Sequence, residues 1–244
     1  WLRVGPTDSH AYQWSLFTVA ITFLLSAMPV LFLPGRKDHR HGFRLAPWTY
    51  IHHNSGLLVR LLLPSLCIGL GAAVFLPFLN VFYRQRFGLS DPAVGTLFAW
   101  GALIMGLATM FGPPLAERWG KVRLIVVSQG LSVPFILLIG FAPSYPLSAA
   151  GYLIRYTLMN VGAPVYQIFA MERVSTTARA TFSGLHEVAW SLGWTVGPSI
   201  SGQLQARSGF APVFVLASLF YALGVVAIQR FFAHVGFPNQ GGAE

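Results

Sequence analysis

Pro113-Pro114-Leu115-Ala116-Glu117-Arg118-Trp119-Gly120-Lys121-Val122-Arg123 is a short run of acid, base, glycine and base set between two long apolar segments. Pro92–Gly112 precedes it and Leu124–Ala142 follows it. Outward from this pair, similar apolar runs occupy Trp14–Leu33, Leu61–Tyr83, Pro146–Ala170, Thr181–Gln203 and Pro212–Gln229. Most have the roughly 17–25 residues that a helix needs to cross a hydrocarbon core of about 30 Å. A closed β-barrel is the other spanning solution, but it calls for ~10-residue alternating segments, and these runs do not alternate. The pattern predicts an all-α, polytopic transmembrane helix bundle of about seven spans.

Composition agrees with lipid as the solvent. Of 244 residues, 55% are hydrophobic and 9% are charged, against a charged share of roughly 25% in soluble domains. In such a chain a net charge of +9 is read by its side of the membrane rather than as a nucleic-acid footprint. Arg3, Arg84, Arg86 and Arg207 fall in segments assigned to one side, Arg155 falls inside a span, and all remaining Lys and Arg fall on the other side. The richer side is expected to be cytoplasmic, which places the N-terminal end outside and the C-terminus inside.

The segments divide as 1–33, an extracytoplasmic stretch and first span; 34–60, a basic linker; 61–232, a block of six spans; and 233–244, a tail expected to fray. Short connections within the block predict antiparallel hairpins of neighbouring spans. Cys67 is the only cysteine, so neither an intrachain disulfide nor a cysteine metal site is expected. His39, His41, His52 and His53 lie among Arg and Lys without ligand spacing, and a basic juxtamembrane loop of this kind attracts anionic headgroups. No cofactor, no metal and no nucleic acid is expected as a partner. No phosphate-binding loop occurs, and His186-Glu187 lacks the second His that a zinc-protease helix requires, because Trp190 stands there. An enzyme is therefore not expected.

The Glu117-Arg118-Trp119-Gly120-Lys121 loop between spans resembles the signature loop of the major facilitator superfamily of transporters. Arg118, Gly120 and Lys121 agree with the family pattern, Glu117 replaces the more usual Asp, and Pro113 stands where a Gly is usual. The order of helix pair, signature loop, helix pair, charged loop and helix pair is similar to one half of such a transporter. The resemblance implies that the first span is the sixth family helix, 34–60 the central loop, and 61–232 the C-terminal half built from inverted three-helix repeats. It also implies a missing N-terminal half as partner. The chain begins at Trp1 rather than Met, in keeping with a partial chain. An alternative register makes the block the N-terminal half.

Several polar residues inside the spans are candidates for chemistry. Arg155 lies about nine residues into the fifth span, ~13 Å deep at 1.5 Å per residue. A charge there costs at least ~2.5–3.5 kcal/mol and requires a partner or a cavity. Gly151, Gly162 and Tyr166 share its side, forming a stripe that suits a water-filled cleft. Two readings stand: a substrate or counter-charge site, or a tie between helices through backbone carbonyls. Glu187 lies roughly 9 Å into the sixth span, within axial reach of Arg155 if the two helices adjoin. It is either a coupling carboxylate or a helix-end anchor. Asn80 and Asn160 are either substrate contacts or hydrogen-bonding glue between helices. Gly193, Gly197, Pro198 and Gly202 predict a kinked, closely packed helix, with a Gly-Pro pattern similar to that of drug-proton antiporters of the family. The resemblance implies that Glu117, Arg118, Gly120 and Lys121 form an inside gate, with Glu172 and Arg173 as members of the same network.

These features lead to an expected function: secondary active transport of a small solute across a cell membrane by alternating access, with proton-coupled efflux as one form. The rival expectation is a non-transporting membrane assembly or regulatory protein that keeps the fold.

Overall fold

The computed structural model of the chain describes residues 9–31 and 46–232. Among these residues every regular element is helical. α1 (Ser9–Leu31) forms a unit of its own. Its Thr18 and Thr22 hydroxyls each donate to the carbonyl four residues back, at 2.8 Å, which lets polar side chains sit on an otherwise apolar helix. The 233–244 tail, the last two residues of the expected first span and positions 34–45 of the expected linker lie outside the described residues.

The second unit begins with α2 (Ala46–His53) and α3 (Ser55–Phe75). The C-terminal part of the expected linker is thus helical, and the second span starts six residues before Leu61. Leu58 is buried there, so the apolar pattern of the span already operates upstream of Arg60. A 3₁₀ turn at Leu76–Phe78 then separates α3 from α4 (Leu79–Phe87). Pro77 has no N–H to give the helical ladder, which accounts for the break. There follow α5 (Asp91–Trp119), α6 (Lys121–Phe141), α7 (Tyr145–Arg173), a 3₁₀ turn at Thr176–Ala178, α8 (Arg179–Ser208) and α9 (Ala211–Phe232).

Ser55–Phe87, α5, α6 and α9 are long and apolar enough to cross a membrane. α7 and α8, at 29 and 30 residues, are long enough but less apolar, because they hold Arg155, Asn160 and Glu187. In soluble folds the polar helices lie outside. In this bundle α7 carries one of the most buried faces, with Arg155, Tyr166 and Phe169 all buried.

The expected loop at Pro113–Arg123 is not a loop. α5 continues through both prolines to Trp119, and Gly120 alone joins it to α6. Gly120 has φ 83° and ψ 141°, a region that favours glycine. The two prolines each remove a ladder bond, but Gly112 and Ala116 on either side are buried against the bundle, and that packing keeps α5 whole.

Nor do neighbouring spans simply pair as hairpins. α6 and α7 pack closely, whereas α5 with α6, and α8 with α9, touch far less. α3 packs instead against α8 and α9, α7 packs against α5 and α6, and α6 meets α9. With α3, α5 and α6 taken as one triplet and α7, α8 and α9 as a second, the leading helix of each triplet packs on the other two helices of its counterpart. Because three spans is an odd number, the second triplet enters from the opposite side. This is an inverted repeat with exchanged partners.

Close backbone approach supports these exchanged contacts. A Cβ built on Gly193 would lie 2.7 Å from the Leu70 nitrogen of α3, and one on Gly197 would lie 2.6 Å from the Ala73 Cβ. Small residues at such seams are what allow membrane helices to gain dispersion contacts without a hydrophobic driving force between them.

Candidate functional site

Arg155 is 2% exposed and stands where α3, α7 and α9 converge. Its Nη2 donates to the hydroxyl of Tyr221 on α9. Its guanidinium carbon lies 4.7 Å from the Phe75 ring centre and 5.0 Å from that of Tyr221. Phe75 is the last residue of α3, immediately before the break at Leu76–Phe78. Two ring faces and one hydroxyl partly offset desolvation, since a cation over an aromatic face gains ~2 kcal/mol or more when desolvated. The Nε of Arg155 is buried with no hydrogen-bond partner. A buried donor left in this state costs about 1–3 kcal/mol, and more on a charged group.

The stripe expected to face a cleft is instead buried in protein. Gly151 abuts Leu138 of α6, Gly162 abuts Ser128 of α6, and Tyr166 donates to the Leu61 carbonyl of α3. The small side chains let α6 close over this face, which removes the room that water would need.

Glu187 and Arg155 are not brought together. Glu187 is exposed on α8 and forms no ion pair among the described residues. α8 docks on α3 through Ala189, Gly193 and Gly197, and Glu187 lies about 120° around the helix from Gly193 at 100° per residue. Glu187 therefore points away from the described bundle, on a surface that also exposes Ser191, Trp194 and Thr195. Trp190 packs under Gly69 of α3 and lies 6.5 Å from the Trp194 ring.

Asn80 is exposed, and its Oδ1 accepts from the Val81 amide at 2.8 Å. Asn160 is half-buried and donates to the Tyr156 carbonyl one turn earlier, at 2.7 Å. Both amides are thus engaged with their own helices rather than with a neighbouring one. Tyr152 and Tyr156 of α7 stack at 5.2 Å, adjoining Arg155 in sequence.

At the Gly120 end of the bundle, Lys121 of α6 donates to both carboxylate oxygens of Glu172 on α7, at 2.5 and 2.6 Å. Arg173 lies over the rings of Phe169 and Phe232, at 4.7 and 5.7 Å. Glu117 and Arg118 are exposed and join neither contact. Of the α8 residues, Gly193 and Gly197 sit in the seam with α3, while a Cβ at Gly202 would meet nothing within 4 Å. The helix runs on through Pro198.

Three residues were not singled out from sequence: Tyr221, Phe75 and Gln129. Gln129 on α6 is 3% exposed, and its Oε1 has no hydrogen-bond partner. An amide within the apolar Leu124–Ala142 run was the signal for it, just as it was for Asn80 and Asn160. Nothing in the sequence marks Tyr221 or Phe75 among 28 Phe and Tyr residues. Among the described residues no group of three His, Cys, Asp or Glu is placed to hold a metal ion.

An inverted-repeat bundle of long apolar helices with a charged junction at one end defines an integral, multi-pass membrane protein of the transporter type. The Major Facilitator Superfamily model matches residues 61–241, and the chain belongs to that family. A protein named putative sugar efflux transporter, from Deinococcus radiodurans, is 28% identical over 187 residues, covering 70% of this chain and 44% of that relative. The uncharacterized MFS-type transporter YdeE of Escherichia coli is 24% identical over 170 residues, covering 69% of this chain and 42% of that protein. A cis,cis-muconate transport protein of Acinetobacter baylyi is 25% identical over 136 residues, covering 55% and 32%. The chain thus spans less than half the length of these relatives.

Proposed function

We propose that this chain forms one half of a secondary active transporter that moves a small organic solute across a cell membrane by alternating access. The observation that carries the proposal is the exchanged pairing of the two helix triplets, because a bundle built as an inverted repeat can rock as a body about a midplane site. The preceding half supplies the opposite wall. Glu187, Ser191, Trp194 and Thr195 of α8 face that half across the solute path. Glu187 is the coupling carboxylate, taking up and releasing a proton as access alternates. Arg155 supplies positive potential at the level of the α3 break. Asn80 and Asn160 add polar contacts when they leave their own backbones.

The Gly120 end is cytoplasmic, as is the C-terminus. There the Lys121–Glu172 pair joins α6 to α7, while Glu117 and Arg118 stay free to meet the other half in the inside-closed state. Relatives named for sugar efflux and for cis,cis-muconate transport make sugars and cis,cis-muconate the first solutes to assay.

The test is uptake into proteoliposomes under an imposed proton gradient, by the full-length protein and by residues 1–244 alone. Gradient-dependent uptake by the full-length protein and none by the 244-residue chain is expected. Uptake by the shorter chain alone would overturn the half-transporter reading.

A further inference from the structure

At the end of the bundle opposite Gly120, α4, α6 and α8 finish and α5, α7 and α9 begin. A cavity of about 370 Å³ opens there, floored by Phe82, Phe141 and Phe210 and walled by Gln85, Arg86 and Ala211. A second cavity, of about 490 Å³, starts at the same Ala211 and is lined by Leu204, Pro212, Val215, Leu216 and Leu219. Ala211 to Leu219 is eight residues of helix, so this groove descends roughly 12 Å from the helix start. The upper cavity offers a cation, an amide and aromatic rings. The lower one is apolar throughout.

Charge at this end is unbalanced. Arg84 pairs with Asp91 at 3.1 Å, but Arg86, two residues on, is exposed and forms no ion pair among the described residues. Arg207, one turn beyond Leu204 on α8, is likewise exposed and, among the described residues, without an ion pair. Arg86 thus lines the upper cavity, and Arg207 follows the Leu204 wall of the apolar groove by one helical turn toward the same end. A free anion has no use for the groove. A neutral lipid has no use for the cations.

We propose that this junction is a binding site for an anionic phospholipid of the surrounding bilayer. Its phosphate and headgroup rest between Arg86, Gln85 and Arg207, and one acyl chain lies along Ala211, Val215 and Leu219. Such a lipid bridges α4 and α6 to the start of α9. Its role is independent of which solute the protein moves.

The experiment is native mass spectrometry of the full-length protein in neutral detergent, titrated with phosphatidylglycerol and phosphatidylcholine of equal chain length. Selective retention of phosphatidylglycerol is expected, weakened about fivefold by Arg86→Gln and again by Arg207→Gln, as the usual contribution of a basic residue near an anionic surface implies. Ala211→Trp, which blocks the junction of the two cavities, should abolish that selectivity. Arg230→Gln, at the other end of α9, should leave it unchanged. Equal retention of both lipids, equal weakening by Arg230→Gln, or unaltered selectivity in Ala211→Trp would each overturn the proposal. Displacement of the lipid by inorganic phosphate would reduce the site to an anion site and overturn it as well. No binding in the full-length protein would mean that the preceding half covers this face, which also defeats the proposal.

Discussion

Arg155 of α7 donates to the hydroxyl of Tyr221 on α9, while Tyr221 and Phe75 present their ring faces to the same guanidinium. Among the described residues the positive charge is held by aromatic groups, with no carboxylate paired to it. Structural and functional roles separate by substitution. Tyr221→Phe keeps the ring and removes the acceptor of the bond, so it should lower stability by about 1.5–3 kcal/mol, read as a fall in the melting temperature of the full-length protein in detergent. Arg155→Met also breaks that bond, but it removes a buried charge with an unpartnered Nε and fills similar space, so gain and loss offset. It should preserve the melting temperature and eliminate solute transport. Intact transport in Arg155→Met would make the residue purely a packing element.

The α3–α8 seam gives the second prediction. A side chain at Gly197 would collide with Ala73, and one at Gly193 with the backbone of Gly69 and Leu70. Gly193→Val and Gly197→Val should each cost about 1–3 kcal/mol or more, the usual range for overpacking, and should reduce monodisperse yield on gel filtration. Gly202→Ala meets nothing and should gain up to about 1 kcal/mol from helix propensity. If all three behave alike, the seam does not govern the packing of α8.

Much of the fold was legible because lipid imposes a simple rule on sequence. Spans of about 20 residues declare themselves by composition, and the helix that contains Arg155 or Glu187 was readable from its length and the residues on either side. Position along each helix axis was readable too, since 1.5 Å per residue converts sequence position into axial height. Azimuth was not. Whether Glu187 turns toward Arg155 or away from it depends on which face of α8 meets α3, and that is set by Gly193 and Gly197 docking against residues more than 100 positions earlier in the chain. The same limit hid Tyr221, which lies 66 residues from Arg155 and is one aromatic residue among many. The exchanged helix pairing was likewise invisible to a reading that joined neighbours by short loops. Pro113 and Pro114 misled for a local reason: helix-breaking propensity learned in water is overridden where a neighbouring helix packs on the residues around the prolines.

Lys121 and Glu172 provide a third test. Their side chains are 36% and 52% exposed, so the pair should contribute only about 0–1 kcal/mol to stability. Lys121→Glu and Glu172→Lys should each leave the melting temperature almost unchanged yet slow transport, and the double exchange should recover most of the rate. The check is initial uptake rate in proteoliposomes across the four proteins of the cycle. Failure of the double exchange to recover the rate would show that each residue acts through a different partner.

Glu187 supplies the last prediction. It is exposed on the described bundle, forms no ion pair there, and sits eight residues into α8, a depth at which a carboxylate facing lipid would be costly. It is therefore expected to face either the half proposed to precede this one or water. Because it is exposed and makes no ion pair among the described residues, Glu187→Gln should leave the melting temperature of the full-length protein within about 0.5 kcal/mol of the parent, the usual range for surface substitutions. Proton coupling should nonetheless be lost. Counterflow exchange, which needs only the rocking motion, should persist, while accumulation against a solute gradient under an imposed proton gradient should fall to background. Uphill accumulation that survives Glu187→Gln would assign coupling to another group and return Glu187 to the role of a helix-surface contact.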